Sequence, residues 1–329
     1  MLKTSFIPWL ITVLMAVYVW FLTDYGSQSN APEPDFNFYD TAVVAVRLPG
    51  EGRMVAAEYH NLMVGDRQQV EARQVSREEF RLTFRVNSPR PALLYIDEMP
   101  VEVFLIPGDT TLRVQAAPPD SFGQLSEVVF SGNTASLCQY YRLKRDHFQQ
   151  QHLRNRRSIL SAKDVVQYGS RLDSMAAREL AFLAEQEVYA SLPDWFVNFE
   201  KNEVLYQKAY LKLSQAGAEP LPEDFFDPLP VNQAKAEFSY YYYLYVEAFI
   251  RRQAGELPAD PEERLRKLLG VSDNLLKPPV HDVFWARTLY NAAISGDSVA
   301  ARKVLDEVRS DFDSRRFVRY LNYKLPGKK

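Results

Sequence analysis

Cysteine is almost absent from this chain of 329 residues, which contains Cys138 alone. One cysteine cannot close a disulfide within the chain or form a Cys-x-x-Cys redox pair. We therefore do not expect the chain by itself to be a dithiol oxidoreductase. No cysteine lies directly after the apolar run at residues 6–22, which excludes a lipoprotein. Stability must come from packing alone.

Nucleotide-binding and metal-binding signatures are also missing. Gly50 and Gly52 are followed by Val55 where a dinucleotide-binding loop needs its third glycine, and there is no phosphate-binding loop. The four histidines form neither a His-x-x-x-His pair nor an HExxH motif: His60, His147, His152 and His281. The sequence predicts no catalytic residue, no cofactor and no metal ligand.

Charge and composition narrow the class of protein. The formal net charge of -3 gives no general attraction to nucleic acid, which we exclude as a partner. Hydrophobic residues make up 47% and charged residues 25%, which is ordinary for a globular protein. The length favours two folded units rather than one.

An uncharged run covers residues 6–22, after Lys3. As a helix it would reach about 25 Å, just enough for the hydrocarbon core of a bilayer. No Lys or Arg occurs from Thr23 to Val46, which predicts that the N-terminus stays in the cytoplasm. We expect a single-pass anchor in the cytoplasmic (inner) membrane at residues 1–24, a tether at residues 25–40 and the bulk of the chain in the periplasm. A cleaved signal peptide is the alternative, although no Ala-x-Ala-like site follows the run.

The spacing of apolar residues changes at Gly132. Before it, short alternating runs such as Phe80 to Val86 predict about seven or eight strands, and therefore an antiparallel β-sandwich at residues 41–131. After it, helical spacing predicts an all-α bundle at residues 132–329, with one helix from Asn232 to Ala254. Pro193-Asp194 and Asp260-Pro261 predict two helix starts, and Gly296-Asp297 predicts a break between two further helices. The predicted fold class is α+β: an N-terminal transmembrane helix, a small sandwich and a helical bundle.

Three features have a functional and a structural interpretation. Cys138 is either an activated thiol or a small buried residue, and its spacing with Tyr141 favours burial. The run from Tyr240 to Tyr245 is either a ligand-stacking surface or a central core helix, and we favour the core. The helix predicted after Asn133 has a basic face, which we interpret as exposed to solvent rather than as a binding site for anions. The basic residues are Arg142, Lys144, Arg145, Arg154, Arg156 and Arg157.

The layout resembles that of a known family. A sandwich, the turn from Phe104 to Asp109 and the passage from Phe130 to Asn133 into a helix resemble the N-terminal region of periplasmic thioredoxin-like thiol-disulfide oxidoreductases of the Bacteroidetes type. The stretch from Ile294 to Gly327 resembles the last helices and the Pro-Gly entry before the thioredoxin domain of that family. That Cys-x-x-Cys domain does not appear in this sequence, so no catalytic residue carries over.

The resemblance implies an accessory part without a redox centre. We expect a membrane-anchored, non-catalytic binding or scaffold module outside the cytoplasm, which binds the bilayer through residues 6–22 and a protein or peptide partner through its folded part. A separate thioredoxin-like redox protein is one such partner. The alternatives are an extracytoplasmic, hydrolase-like enzyme whose site the sequence does not reveal, and a structural envelope component.

Overall fold

The computed structural model describes residues 41–50, 53–63, 67–118, 125, 127–160, 165–190, 192–216, 225 and 229–325. The predicted anchor at residues 1–24 and the predicted tether at residues 25–40 lie outside these residues. The location of the protein, which was predicted from that segment, stays a prediction.

Two sheets form the first part of the fold. The strands are β1 (Ala42–Arg47), β2 (Val55–His60), β3 (Arg67–Glu71), β4 (Arg73–Gln74), β5 (Glu79–Phe84), β6 (Arg90–Ile96), β7 (Met99–Leu105), β8 (Arg113–Ala116) and β9 (Val128–Ser131). One sheet has the order β4-β5-β1-β8-β9 and the other the order β3-β2-β6-β7. In β5, Phe80, Leu82 and Phe84 are buried while Arg81 and Thr83 are exposed, which confirms the half-buried strand predicted from alternation.

The sheets pass into the helices at Gly132, which needs to be a glycine. Its φ is +103°, and a Cβ placed there would lie 2.4 Å from the carbonyl oxygen of Thr111. Both the backbone angle and the close approach exclude a side chain at this position. The sequence boundary between the two patterns therefore coincides with a tight, sterically fixed corner.

Helices make up the rest of the described chain. They are α1 (Ala135–Leu160), α2 (Val165–Ala190), α3 (Asp194–Ala216), α4 (Tyr240–Ala254), α5 (Pro261–Leu275), α6 (Val280–Ala292), α7 (Ser298–Val308) and α8 (Arg315–Lys324). A π-helical turn at Ala293–Asp297, with Gly296 at φ +108°, separates α6 from α7 as the glycine signal predicted. Asp260 caps α5, also as predicted.

The helix predicted from Asn232 to Ala254 is shorter than expected. It begins at Tyr240, because Ser239 accepts a hydrogen bond from the backbone N–H of Tyr242 as an N-cap. The preceding residues form a short 3-10 turn at Ala234–Ala236. The N-cap Ser239, which stands between aromatic residues in the sequence, therefore determines where α4 begins.

Two clusters of buried side chains hold the fold together. The first joins both sheets to the buried faces of α1, α2 and the start of α3. The second joins the rest of α3 to the later helices, and it also includes Leu62 and Met63 from the segment after β2. The first cluster therefore continues across Gly132.

The predicted fold class needs two corrections. β1 and β8 run parallel, with Val46 opposite Val114, so the sandwich is not purely antiparallel. The chain changes sheets between β7 and β8, and strands that no hairpin joins need not be antiparallel. Second, the predicted fold class included a transmembrane helix. Among the described residues, no helix is both long enough and apolar enough to cross a membrane. What the structure shows is an α+β fold of two small sheets and a set of helices.

Candidate functional site

The residues singled out from the sequence lie mostly inside the fold. Cys138 is fully buried on α1, where its Sγ accepts a hydrogen bond from the backbone N–H of Phe104 at 3.2 Å. Burial raises the pKa of the Cys138 thiol to about 12. A thiol in this state is no nucleophile near neutral pH, which agrees with the interpretation as a small core residue.

The three histidines with described side chains lie in separate surroundings. His60 stacks on Tyr240, with ring centroids 5.3 Å apart. His147 packs against Phe148 and Phe182, and the side chain of His152 lies outside the described part. His281 is buried at the start of α6.

The tyrosine run is part of the core, as predicted. Tyr242, Tyr243 and Tyr245 are fully buried in the second cluster. The hydroxyls of Tyr242 and Tyr245 donate to the carbonyl oxygens of Val231 and Leu229, at 2.7 and 2.9 Å. These hydroxyls therefore fix the segment that leads into α4 rather than face a ligand.

The basic face of α1 is not simply solvated, and that interpretation is wrong for its first half. Arg142 and Arg145 donate hydrogen bonds to carbonyl oxygens of the sheets, those of Val128 and Pro100. Lys144 is directed towards the helices and joins a buried ionic network. These side chains fasten α1 to its neighbours.

Glu200 of α3 is the centre of this network. Lys144 Nζ lies 2.5 Å from Glu200 Oε1 and 2.8 Å from Glu179 Oε2. The hydroxyls of Tyr140 and Tyr141 also donate to Glu200, at 3.2 and 2.7 Å. Burial lowers the pKa of Lys144, but the two carboxylates more than offset this, and its net pKa is raised. The lysine therefore stays charged.

Glu203 lies one turn further along α3. Burial raises the pKa of its carboxyl to about 7, although the Ser239 hydroxyl and the backbone N–H of Tyr240 donate to it. Its Oε1 is inaccessible to solvent and has no partner among the described residues. Such a carboxyl exchanges a proton near neutral pH.

The feature that best fits a binding site is a surface groove beside these residues. It lies between the first turns of α3 and the segment that leads into α4, and its volume is about 610 Å³. We call it the α3–α4 groove. It is lined by Asp194, Trp195, Asn198, Phe199, Asn202, Lys235, Ala236, Glu237, Phe238 and Ser239.

The groove combines aromatic and hydrogen-bonding surface. Trp195 and Phe238 are half-buried and Phe199 is buried, whereas the Asn198 amide is exposed. Asn202 donates from its side-chain amide to the carbonyl oxygen of Lys235 at 2.9 Å, which ties the two walls together. Aromatic rings are enriched at protein-binding surfaces, and an exposed amide such as that of Asn198 can hydrogen-bond a peptide backbone.

A second cleft, of about 380 Å³, lies beside the π-helical turn. Three of its four charged lining residues are already paired: Arg264 with Asp297 at 2.6 Å, and Glu247 with the buried Arg287 at 2.7 Å, while Arg251 is the fourth. A ligand would have to compete with these ion pairs, so this cleft fits a binding role less well than the α3–α4 groove.

Sequence reasoning did not find the groove. The Pro193-Asp194 signal predicted the start of α3, and Phe238 stands two residues before the tyrosine run, but the two segments are far apart in sequence. The best local signal was Trp195, an aromatic residue directly after a helix start. A scan against models of known families and a search of curated proteins found no match to this chain.

Proposed function

We propose that this protein is a non-catalytic binding module that docks an extended segment of a partner protein in the α3–α4 groove. The observation that carries the proposal is the aromatic floor of the groove beside the exposed Asn198 amide. A side-chain amide can pair with both the N–H and the C=O of an extended peptide, while aromatic rings bury an apolar side chain. Together they favour a short peptide with one bulky apolar residue.

The charges at the groove refine this description of the partner. Asp194 and Glu237 are acidic and Lys235 is basic, so the lining carries a small negative excess. A partner segment with a basic residue near its apolar anchor fits it best. The resemblance noted in the sequence makes a separate thioredoxin-like redox protein, outside the cytoplasm, the first partner to test.

The test is selection of binding peptides from a random library, followed by affinity measurement on the wild-type chain and two variants. Asn198→Arg places a long side chain in the groove and should weaken binding by about tenfold or more, which is roughly 1.4 kcal/mol. Gln215→Arg is the matched control, since Gln215 is exposed on the same helix and outside the groove. Failure to select any peptide, or peptides that bind the Asn198→Arg variant as tightly as the wild type, would contradict the proposal.

One observation favours a second candidate, a hydrolase-like enzyme. A carboxyl with a pKa of about 7, such as that of Glu203, can act as a general acid or base. Binding ranks first, because Ser239 and not Glu203 lines the groove. The variant Glu203→Gln separates the two: a binding module keeps its peptide affinity, whereas an enzyme loses turnover and keeps substrate binding.

A further inference from the structure

A buried histidine at the start of α6 lies among three aspartates from three elements. Asp273 belongs to the last turn of α5, His281 and Asp282 open α6, and Asp313 immediately precedes the N-cap residue of α8. One potential ligand atom each from His281, Asp282 and Asp313 lies within 4.8 Å of the others. The arrangement is independent of the α3–α4 groove.

The hydrogen bonds of Asp282 explain part of this geometry but not all of it. Its two carboxylate oxygens accept the backbone N–H groups of Asp313 and Ser314, at 3.2 and 2.7 Å, and so hold the segment before α8. Each carboxylate oxygen has a second lone pair, so these bonds orient the group and leave it able to bind a cation.

The imidazole of His281 is in an electrostatic conflict. Its Nδ1 lies 3.2 Å from Asp282 Oδ1 and its Nε2 lies 3.5 Å from Asp273 Oδ1. A neutral imidazole carries one N–H, so one ring nitrogen must direct a lone pair at a carboxylate. Only 6% of the side chain is exposed, and Nε2 has no hydrogen-bond partner within the described part of the chain. With its N–H on Nε2, directed at Asp273, the ring turns the lone pair of Nδ1 towards Asp282, and a cation between Nδ1 and the Asp282 carboxylate removes the conflict.

We propose that His281, Asp282 and Asp313 bind a divalent transition-metal ion of the Zn²⁺ type, with Asp273 orienting the imidazole from its other side. Ligands on a tetrahedral zinc ion are separated by about 3.3 Å, close to the observed distance between His281 Nδ1 and Asp282 Oδ1. A nitrogen ligand favours Zn²⁺ or Co²⁺ over Ca²⁺ and Mg²⁺, which prefer oxygen alone. Asp313 is exposed and gives the ion a route from solvent.

The carboxylate on the far side of the ring fits the same proposal. A metal-bound histidine commonly donates its second N–H to a carboxylate, which fixes the ring and its tautomer. Asp273 is well placed for this role at Nε2, and its exposed side chain is free to adjust its distance. The bound ion would hold α5, α6 and the start of α8 together, and would so stabilise the second cluster of buried side chains.

The test uses the full chain without an affinity tag, titrated with Zn²⁺ and with Co²⁺ in a calorimeter, and with Ca²⁺ for comparison. We expect one Zn²⁺ per chain, visible absorption bands from bound Co²⁺, and a rise in melting temperature on Zn²⁺ addition. Asp313→Asn should weaken Zn²⁺ binding by about tenfold or more. Asp311→Asn is the matched control, an exposed aspartate in the same segment that should leave the affinity unchanged.

Each contrary result overturns the proposal. A wild-type chain that takes up neither Zn²⁺ nor Co²⁺ would show that these residues do not form a metal site. Zn²⁺ bound equally by the wild type, Asp313→Asn and His281→Gln would be adventitious binding elsewhere. Should the buried His281→Gln variant fail to fold, the exposed Asp313→Asn variant still decides between these outcomes.

Discussion

At the scale of single residues, Glu203 makes the stability of the fold depend on pH. Burial raises the pKa of its carboxyl to about 7, whereas an unfolded glutamate titrates near 4.3. Between these values the folded chain still holds a proton that the unfolded chain has lost, so the free energy of unfolding falls as pH rises. We expect a loss of up to about 3 kcal/mol from pH ~4.5 to pH ~7, measured by urea denaturation at several pH values.

The variant Glu203→Gln assigns this pH dependence. It keeps a neutral side chain of the same shape, so the fall in unfolding free energy should shrink. Part of it should persist, because burial also raises the pKa of Glu102. Glu187→Gln, an exposed glutamate on α2, is the control and should follow the wild type. Identical pH profiles for the wild type and Glu203→Gln would show that Glu203 is not the source.

Two adjacent tyrosines of α4 allow a matched comparison of buried hydroxyls. The Tyr242 hydroxyl donates to the carbonyl oxygen of Val231 and accepts from the backbone N–H of Gln233. The Tyr243 hydroxyl is equally buried but has no partner in the described part of the chain. Tyr242→Phe should therefore cost about 1–2 kcal/mol, while Tyr243→Phe should be nearly neutral or stabilising. Equal losses in thermal or urea unfolding would refute this distinction.

At the scale of elements, the network around Glu200 joins α1, α2 and α3. Lys144→Met would leave the Glu200 carboxylate buried without its cation, which should cost about 3–5 kcal/mol. Adding Glu200→Gln removes the unpaired charge, so the double variant should be more stable than Lys144→Met alone. Lys201→Met, at an exposed position of α3, is the control. If the double variant is the less stable of the two, charge pairing is not what the network contributes.

The elements were largely predictable from local patterns, with exceptions that have physical causes. Alternation predicted β5, and capping residues predicted the starts of α3 and α5, because these signals act over a few residues. The start of α4 was misplaced, because the N-cap Ser239 stands between Phe238 and Tyr240 within an aromatic run. The parallel pairing of β1 with β8 depends on the chain changing sheets, which no short window records.

The candidate site was less predictable than the fold. Each wall of the α3–α4 groove is ordinary in sequence, and only tertiary packing brings Trp195 towards Phe238. The ionic network was hidden for the same reason, since Lys144 and Glu200 are 56 residues apart. Its basic residues looked like a solvated face because their partners lie on other elements. The spacing of apolar residues shows which side of a helix or strand is buried, but it does not show which residues pack against that side.

At the scale of the whole molecule, the chain divides less simply than its patterns suggest. The boundary predicted at Gly132 separates strands from helices, yet the first cluster of buried residues includes Leu137, Tyr141 and Phe196 together with the sheets. Arg90, at the start of β6, is also buried and interacts electrostatically with Glu203 of α3. Strands and helices therefore share the first cluster of buried residues, and the later helices form most of the second cluster. The two-unit division stays a prediction that fragments can test.

Separate expression of residues 41–131 and 133–329 is that test. The β fragment should aggregate, because it loses the helices that cover its sheets. The helical fragment keeps most of the second cluster and should stay helical, but it exposes Tyr141, Phe196 and Phe199, which pack on Phe104 of β7 in the full chain. Losing the burial of three such side chains costs at least about 5 kcal/mol, so the fragment should melt roughly 10 °C or more below the full chain. Circular dichroism melts measure this. A fragment of residues 133–329 that melts with the full chain would show that the helices are an independent unit and that their contact with the sheets adds no stability.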